Sequence, residues 1–246
     1  VEPPATAATA PWWAGTDPTP VPARSRRRPH APGPTLNDVD ALLERLALLE
    51  LRGCANPYAA ADEDPALDRP GAAATRRANL AAYLEARRGA RLLLVGEAMG
   101  YRGGRFTGIA FTSERVLAGW GAPYAGSSTH AGGWAEPSAT IIHGAIAAHE
   151  TGVVLWNTVP AHPYRSGSLL SNRAPTAAEI AAGAALLDAV IDLVVPRSIV
   201  AVGRVAERRL GSRAAGAVRH PAQGGATACR EGLARLLAED FPGLTA

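Results

Sequence analysis

The run Leu92-Leu93-Leu94-Val95, followed by Gly96-Glu97-Ala98-Met99-Gly100, constrains the fold more than any other part of the chain. Four consecutive apolar residues read as a buried strand, and the Gly-acidic-small-x-Gly segment behind them reads as a tight turn that exposes its backbone. In an open α/β sheet, the loop leaving the carboxyl end of a strand is where ligands sit. Glu97 is therefore a candidate for chemistry rather than for solubility.

The rest of the chain supplies the sheet that such a strand requires. Val153 to Trp156 and Ser198 to Val202 read as two further strands, and Ala217 to Arg219 as a short fourth. Between them lie helical patterns: Leu36 to Leu46, about Thr75 to Arg88, a start at Thr112-Ser113-Glu114, Ser138 to His149, Gly203 to Leu210, and about Ala226 to Glu239. Thr176 and Glu179 have the spacing of a capping box, and Ile180, Leu187, Ile191 and Val194 give the helix behind it a core face. Strands alternating with helices imply an α/β fold, a three-layer α/β/α sandwich around a central parallel four-stranded sheet.

A length of 246 residues with 47% hydrophobic content is sufficient for one such domain, expected over residues 35–246. Residues 1–34, rich in Pro and Ala and carrying Arg24, Arg26, Arg27 and Arg28, are expected to form a disordered basic tail. The formal charge of +3 provides no strong steering by the whole molecule. All 25 basic residues are Arg, which excludes a nucleotide-binding P-loop with its lysine. Cys54 and Cys229 are too few for a disulfide framework and suit a reducing cytoplasm, where a monomer is expected. No apolar run reaches membrane-spanning length. His149-Glu150 lacks the spacing of a zinc helix, so no metal site is expected.

Three strands end near one distinctive polar residue each: Glu97, Asn157 and His220. In a parallel sheet those ends share one edge, so the three side chains can converge, with Phe111 as an aromatic wall. A carboxylate, a carboxamide, an imidazole and a flat ring suit a heterocyclic base, whose amide edge an Asn can pair in two-pronged fashion. His162, Arg165 and Arg173, in the long loop from Asn157 to Pro175, are candidate phosphate contacts.

In this order the motifs resemble those of the uracil-DNA glycosylase superfamily, most closely the branch whose first motif is G-E-x-P-G. They are Gly96-Glu97-Ala98-Met99-Gly100, Gly108-Ile109-Ala110-Phe111, Trp156-Asn157-Thr158-Val159-Pro160 with Asn172-Arg173-Ala174-Pro175-Thr176, and Arg219-His220-Pro221-Ala222. The resemblance implies a glycosylase that flips uracil or a related deaminated base out of DNA and hydrolyses its N-glycosidic bond. It implies that Gly96, Ala98, Phe111 and Asn157 hold the base, Glu97 handles the attacking water, and His220 stabilises the departing pyrimidine. Met99 stands where the branch has proline. Two cysteines cannot provide the four that its iron–sulfur cluster needs, so no cofactor is expected. Gln223-Gly224-Gly225 occupies the place of the bulky residue that fills the vacated base stack. The alternatives are a noncatalytic nucleic-acid-binding protein of the same fold, or a glycosylase for hypoxanthine or another deaminated purine.

Overall fold

The computed structural model describes residues 36–59 and 64–240. The expected tail over residues 1–34 lies outside them. In chain order the elements are α1 (Leu36–Ala47), β1 (Cys54–Ala55), α2 (Ala72–Glu85), β2 (Leu92–Ala98), α3 (Gly104–Thr107), α4 (Glu114–Trp120), α5 (Pro137–Ile146), β3 (Val153–Val159), β4 (His162–Pro163), α6 (Ala177–Val194), β5 (Ser198–Val202), α7 (Arg204–Leu210), β6 (Gly216–Val218) and α8 (Ala226–Asp240).

Four strands form one parallel sheet in the order β3-β2-β5-β6. Successive side chains of a strand point to opposite faces. Because Leu92, Leu93, Leu94 and Val95 are all fully buried, both faces of β2 are covered. The chain leaves β2 for β3 on one side and later crosses back to β5 on the other. That reversal opens a crevice at the carboxyl ends of β2 and β5, the place where sheets of this kind bind ligands.

The structure departs from the sequence expectations in three places. The strands β2 and β3 run through Ala98 and Val159, so Glu97 and Asn157 lie inside their last turns of strand rather than in the loops beyond. Parallel pairing of Gly96 with Asn157 and of Ala98 with Val159 carries the ladder that far. A two-stranded antiparallel sheet, β1 with β4, is too short to leave a periodic signal. Finally, the buried stripe of α6 is Gly183, Leu186, Leu187, Val190 and Leu193, while Ile180, Ile191 and Val194 lie at its margin. Close approach at Gly183 selects that stripe: a Cβ there would collide with the Thr158 carbonyl of β3.

Side-chain to backbone contacts fold the irregular segments onto this frame. The capping box of Thr176 and Glu179 forms with both its bonds. The buried Glu114 carboxylate accepts from Ser128 N–H, Ser128 Oγ–H and Trp134 N–H, which fastens the Gly- and Ser-rich excursion between α4 and α5. Asp68, buried, accepts from both Arg76 and Arg105 and so ties the loop before α2 to α3, the helix that follows the glycine-rich turn.

Candidate active site

Gly96 and Asn157 sit side by side in the β2–β3 ladder, and their partnership forms the centre of the site. A Cβ on residue 96 would overlap the Phe111 ring and Asn157 Oδ1. The ring therefore rests directly on the Gly96 backbone with the carboxamide beside it. Asn157 is 2% exposed and its Nδ2 donates to Met99 Sδ at 3.4 Å. Among the described residues no donor reaches Asn157 Oδ1, which leaves an acceptor for an incoming group.

Phe111 adopts φ +50°, a left-handed conformation that costs a non-glycine residue about 1–2 kcal/mol. Its surroundings enforce the conformation. Thr107 Oγ1 accepts the Ile109 N–H, Thr112 Oγ–H donates to the Ala110 carbonyl, and His143 Nε2 lies 3.2 Å from Thr112 Oγ1. Tyr58 Oη–H donates to the Gly108 carbonyl at 2.6 Å. A turn held on so many sides can keep a strained residue, and such residues gather at functional sites.

His220 follows β6 and lies 5.9 Å from Phe111, centroid to centroid, at 38°. Its Cβ packs over Gly203 at the end of β5, where a side chain would come within 3.1 Å. The Ala222 N–H donates to His220 Nδ1 at 3.1 Å. Burial pushes this imidazole below its ordinary pKa, so the ring is neutral at pH 7. With Nδ1 accepting, the single proton resides on Nε2 and makes it a donor.

Glu97 is half-buried, and burial raises its carboxyl pKa against the opposing pull of Arg208 on α7. Thr158 Oγ–H fixes its carbonyl at 2.6 Å. Alternation along β2 turns its side chain away from the face that Gly96 and Asn157 share. It therefore lies at the rim rather than in the group formed by Gly96, Met99, Phe111, Asn157 and His220. Ala98, the next residue, is the partner of Val159 in the same ladder.

The three expected phosphate contacts separate. His162 is fully buried, with Nδ1 2.8 Å from the Met99 carbonyl and Nε2 3.0 Å from the Leu169 carbonyl, so neither nitrogen faces a phosphate. Burial lowers its pKa while the two carbonyls oppose the shift. Arg173 is consumed in the same way. It pairs with Glu179 through both terminal nitrogens and donates to the carbonyls of Tyr164, Gly53 and Ala174. In the structure these two side chains hold the loop together. Only Arg165 of the three is exposed.

Sequence reasoning missed Glu136, a half-buried residue whose carboxyl lies against the Cα atoms of Gly100 and Gly103. Burial raises its pKa to about 7. No motif contains it, and only the glycines it touches could have flagged it. Two grooves, of about 540 and 610 Å³, lie elsewhere, lined by Leu43, Ala47 and Ala81 in one and by Leu67, Tyr164 and Leu170 in the other. Neither contains Glu97, Asn157 or His220, so convergence of polar groups rather than cavity size marks the site. The cysteines do not fit an iron–sulfur cluster: Cys229 is packed in the core and Cys54 lies beside Arg173. Among the described residues no group of three His, Cys, Asp or Glu can hold a metal.

A family model described as the uracil DNA glycosylase superfamily matches residues 84–238, which is most of the chain and spans every element of this site. The chain belongs to the uracil-DNA glycosylase superfamily. Its fold is similar to the crystal structure of wild-type Pedobacter heparinus SMUG2, with a TM-score of 0.55 and 16% identity over 84% of this chain and 97% of that one. No curated protein matches the sequence. Among the described residues no helix is long and apolar enough to cross a membrane.

Proposed function

We propose that the protein excises uracil, or a related deaminated base, from DNA by hydrolysing the N-glycosidic bond. The observation that carries this reading is the contact of Gly96, Phe111 and Asn157, which sets an open carboxamide acceptor beside an aromatic ring. A base inside a duplex is out of reach, so the substrate nucleotide is extruded into the pocket or taken from a single strand. Phe111 stacks on the base and Asn157 accepts the ring N–H. As the bond to C1′ breaks, its electron pair leaves with the base. The neutral His220, donating from Nε2, stabilises the charge that collects on the base oxygen. From the rim of the crevice, Glu97 receives the proton of the water that adds to C1′, a role suited to a carboxylate whose pKa burial has raised.

The test is release of base from single- and double-stranded oligonucleotides carrying uracil or hypoxanthine, scored as abasic sites, for wild type and for Glu97→Gln, Asn157→Ala and His220→Ala. Release by wild type that falls in the three variants supports the assignment. Tight binding without release replaces it with a noncatalytic nucleic-acid-binding role.

A further inference from the structure

We propose that Met99 is a specificity-determining residue: its thioether fixes which way round the Asn157 carboxamide sits, and so sets the pocket against cytosine. The inference rests on the base-excision reading above and narrows the bases that the site admits.

A thioether sulfur carries no hydrogen and acts only as an acceptor. At 3.4 Å from Asn157 Nδ2 it takes one amide hydrogen. The reversed carboxamide would turn the Oδ1 lone pairs onto those of sulfur. Both side chains are buried, Asn157 at 2% and Met99 at 3% exposure, so water does not substitute for either partner. Met99 itself has little freedom. Its N–H donates to the Ala161 carbonyl at 3.0 Å, and its carbonyl faces His162 Nδ1 at 2.8 Å. Its sulfur fills the notch left by Gly104, where a Cβ would strike Sδ.

The orientation has a chemical meaning. It presents Oδ1 as an acceptor, with the second Nδ2 hydrogen as the neighbouring donor. Uracil and hypoxanthine offer the matching pair, a ring N–H beside a carbonyl oxygen. Cytosine offers the reverse, an unprotonated ring nitrogen beside an amino group, and fits only the flipped carboxamide. A sulfur that accepts but cannot donate therefore discriminates against the base that normal DNA contains in abundance.

The experiment compares wild type with Met99→Leu, which removes the acceptor at similar volume, and Gly104→Ala, which displaces the sulfur without changing residue 99. For each, kcat/KM is measured for uracil and cytosine release from the same single-stranded oligonucleotide. Hydrogen exchange of the Asn157 side-chain amide is followed by NMR. The expected result is a fall of about three- to tenfold in the uracil-to-cytosine ratio in both variants, the range of one weak hydrogen bond, with faster exchange at Nδ2. An unchanged ratio and unchanged exchange in both overturn the proposal. If wild type releases no base, the excision reading fails on its own. The exchange comparison then decides the role of Met99: unchanged exchange in Met99→Leu overturns it, and faster exchange supports the sulfur as the group that fixes the carboxamide.

Discussion

Gly96 and Asn157 are register partners on adjacent parallel strands, and only the missing side chain at 96 lets Asn157 Oδ1 and the Phe111 ring share the space above the ladder. Gly96→Ala should therefore strike both groups at once. Overpacking of this kind costs about 1–3 kcal/mol. We expect a lower melting temperature together with a loss of base release of at least about 100-fold, the order set by misplacing a reacting group by 1 Å. Thermal unfolding and abasic-site formation, measured on the same preparation, check the two effects together.

The two ionisable groups assigned to chemistry shift in opposite directions. Burial raises Glu97 above the ordinary 4.5, and burial lowers His220 below 6.5. The proposed reaction needs Glu97 ionised and His220 neutral, so both conditions fail as pH falls. The profile of kcat/KM should show an acid limb, along which activity climbs with pH, and a plateau above it. Glu97→Gln should lower the plateau by about 10²–10⁴-fold. A profile that rises toward acid would contradict both roles.

Glu136 makes a stability prediction that is independent of catalysis. Its folded-state pKa of about 7 lies above the ordinary 4.5. The unfolded chain therefore loses this proton first as pH rises. The contribution of Glu136 to stability is greatest below 4.5 and is lost as pH climbs through 7. Glu136→Gln should be close to neutral at pH 4.5 and stabilising by on the order of 1–2 kcal/mol at pH 8, allowing for partial exposure. Denaturant titrations at the two pH values measure the difference.

Arg173 and Arg165 should behave as opposites. Arg173→Ala strips Glu179, 6% exposed, of its bidentate partner and frees the carbonyls of Gly53 and Tyr164. Breaking a buried pair costs about 3–5 kcal/mol, and the partial exposure of Arg173 places this one toward the lower end. Arg165→Ala should leave stability unchanged, weaken DNA binding and reduce its salt dependence by about one ion. Unfolding curves and binding isotherms at several salt concentrations separate the two. A stable Arg173→Ala protein with a reduced salt slope would restore the phosphate role to that residue.

The sheet was legible in the sequence because its strands announce themselves. Leu92 to Val95 and Val153 to Trp156 are apolar runs of the kind that a parallel strand covered on both faces buries, and Thr176 with Glu179 marks a helix start by local chemistry alone. The grouping of Phe111, Asn157 and His220 followed from strand ends lying on one edge. What remained hidden depends on long-range contacts that no spacing encodes. His162 and Arg173 are polar residues in a long loop, and nothing local distinguishes a buried clamp from a solvated side chain. Met99 was visible as a departure from proline, but its contact with Asn157, 58 positions on, was not. The pairing of β1 with β4 joins two dipeptides more than a hundred residues apart.

The burial of His162 has a mechanical consequence. One ring joins the carbonyl of Leu169, in the outer loop that carries the exposed Arg165, to the carbonyl of Met99, whose side chain holds Asn157. A neutral imidazole has one N–H, so it donates to one of these carbonyls and packs against the other, and displacing the outer loop disturbs the seat of the ring against Met99. The imidazole thus works as a hinge pin between two levers, and a displacement of the outer loop is delivered to the carboxamide beside the Phe111 ring.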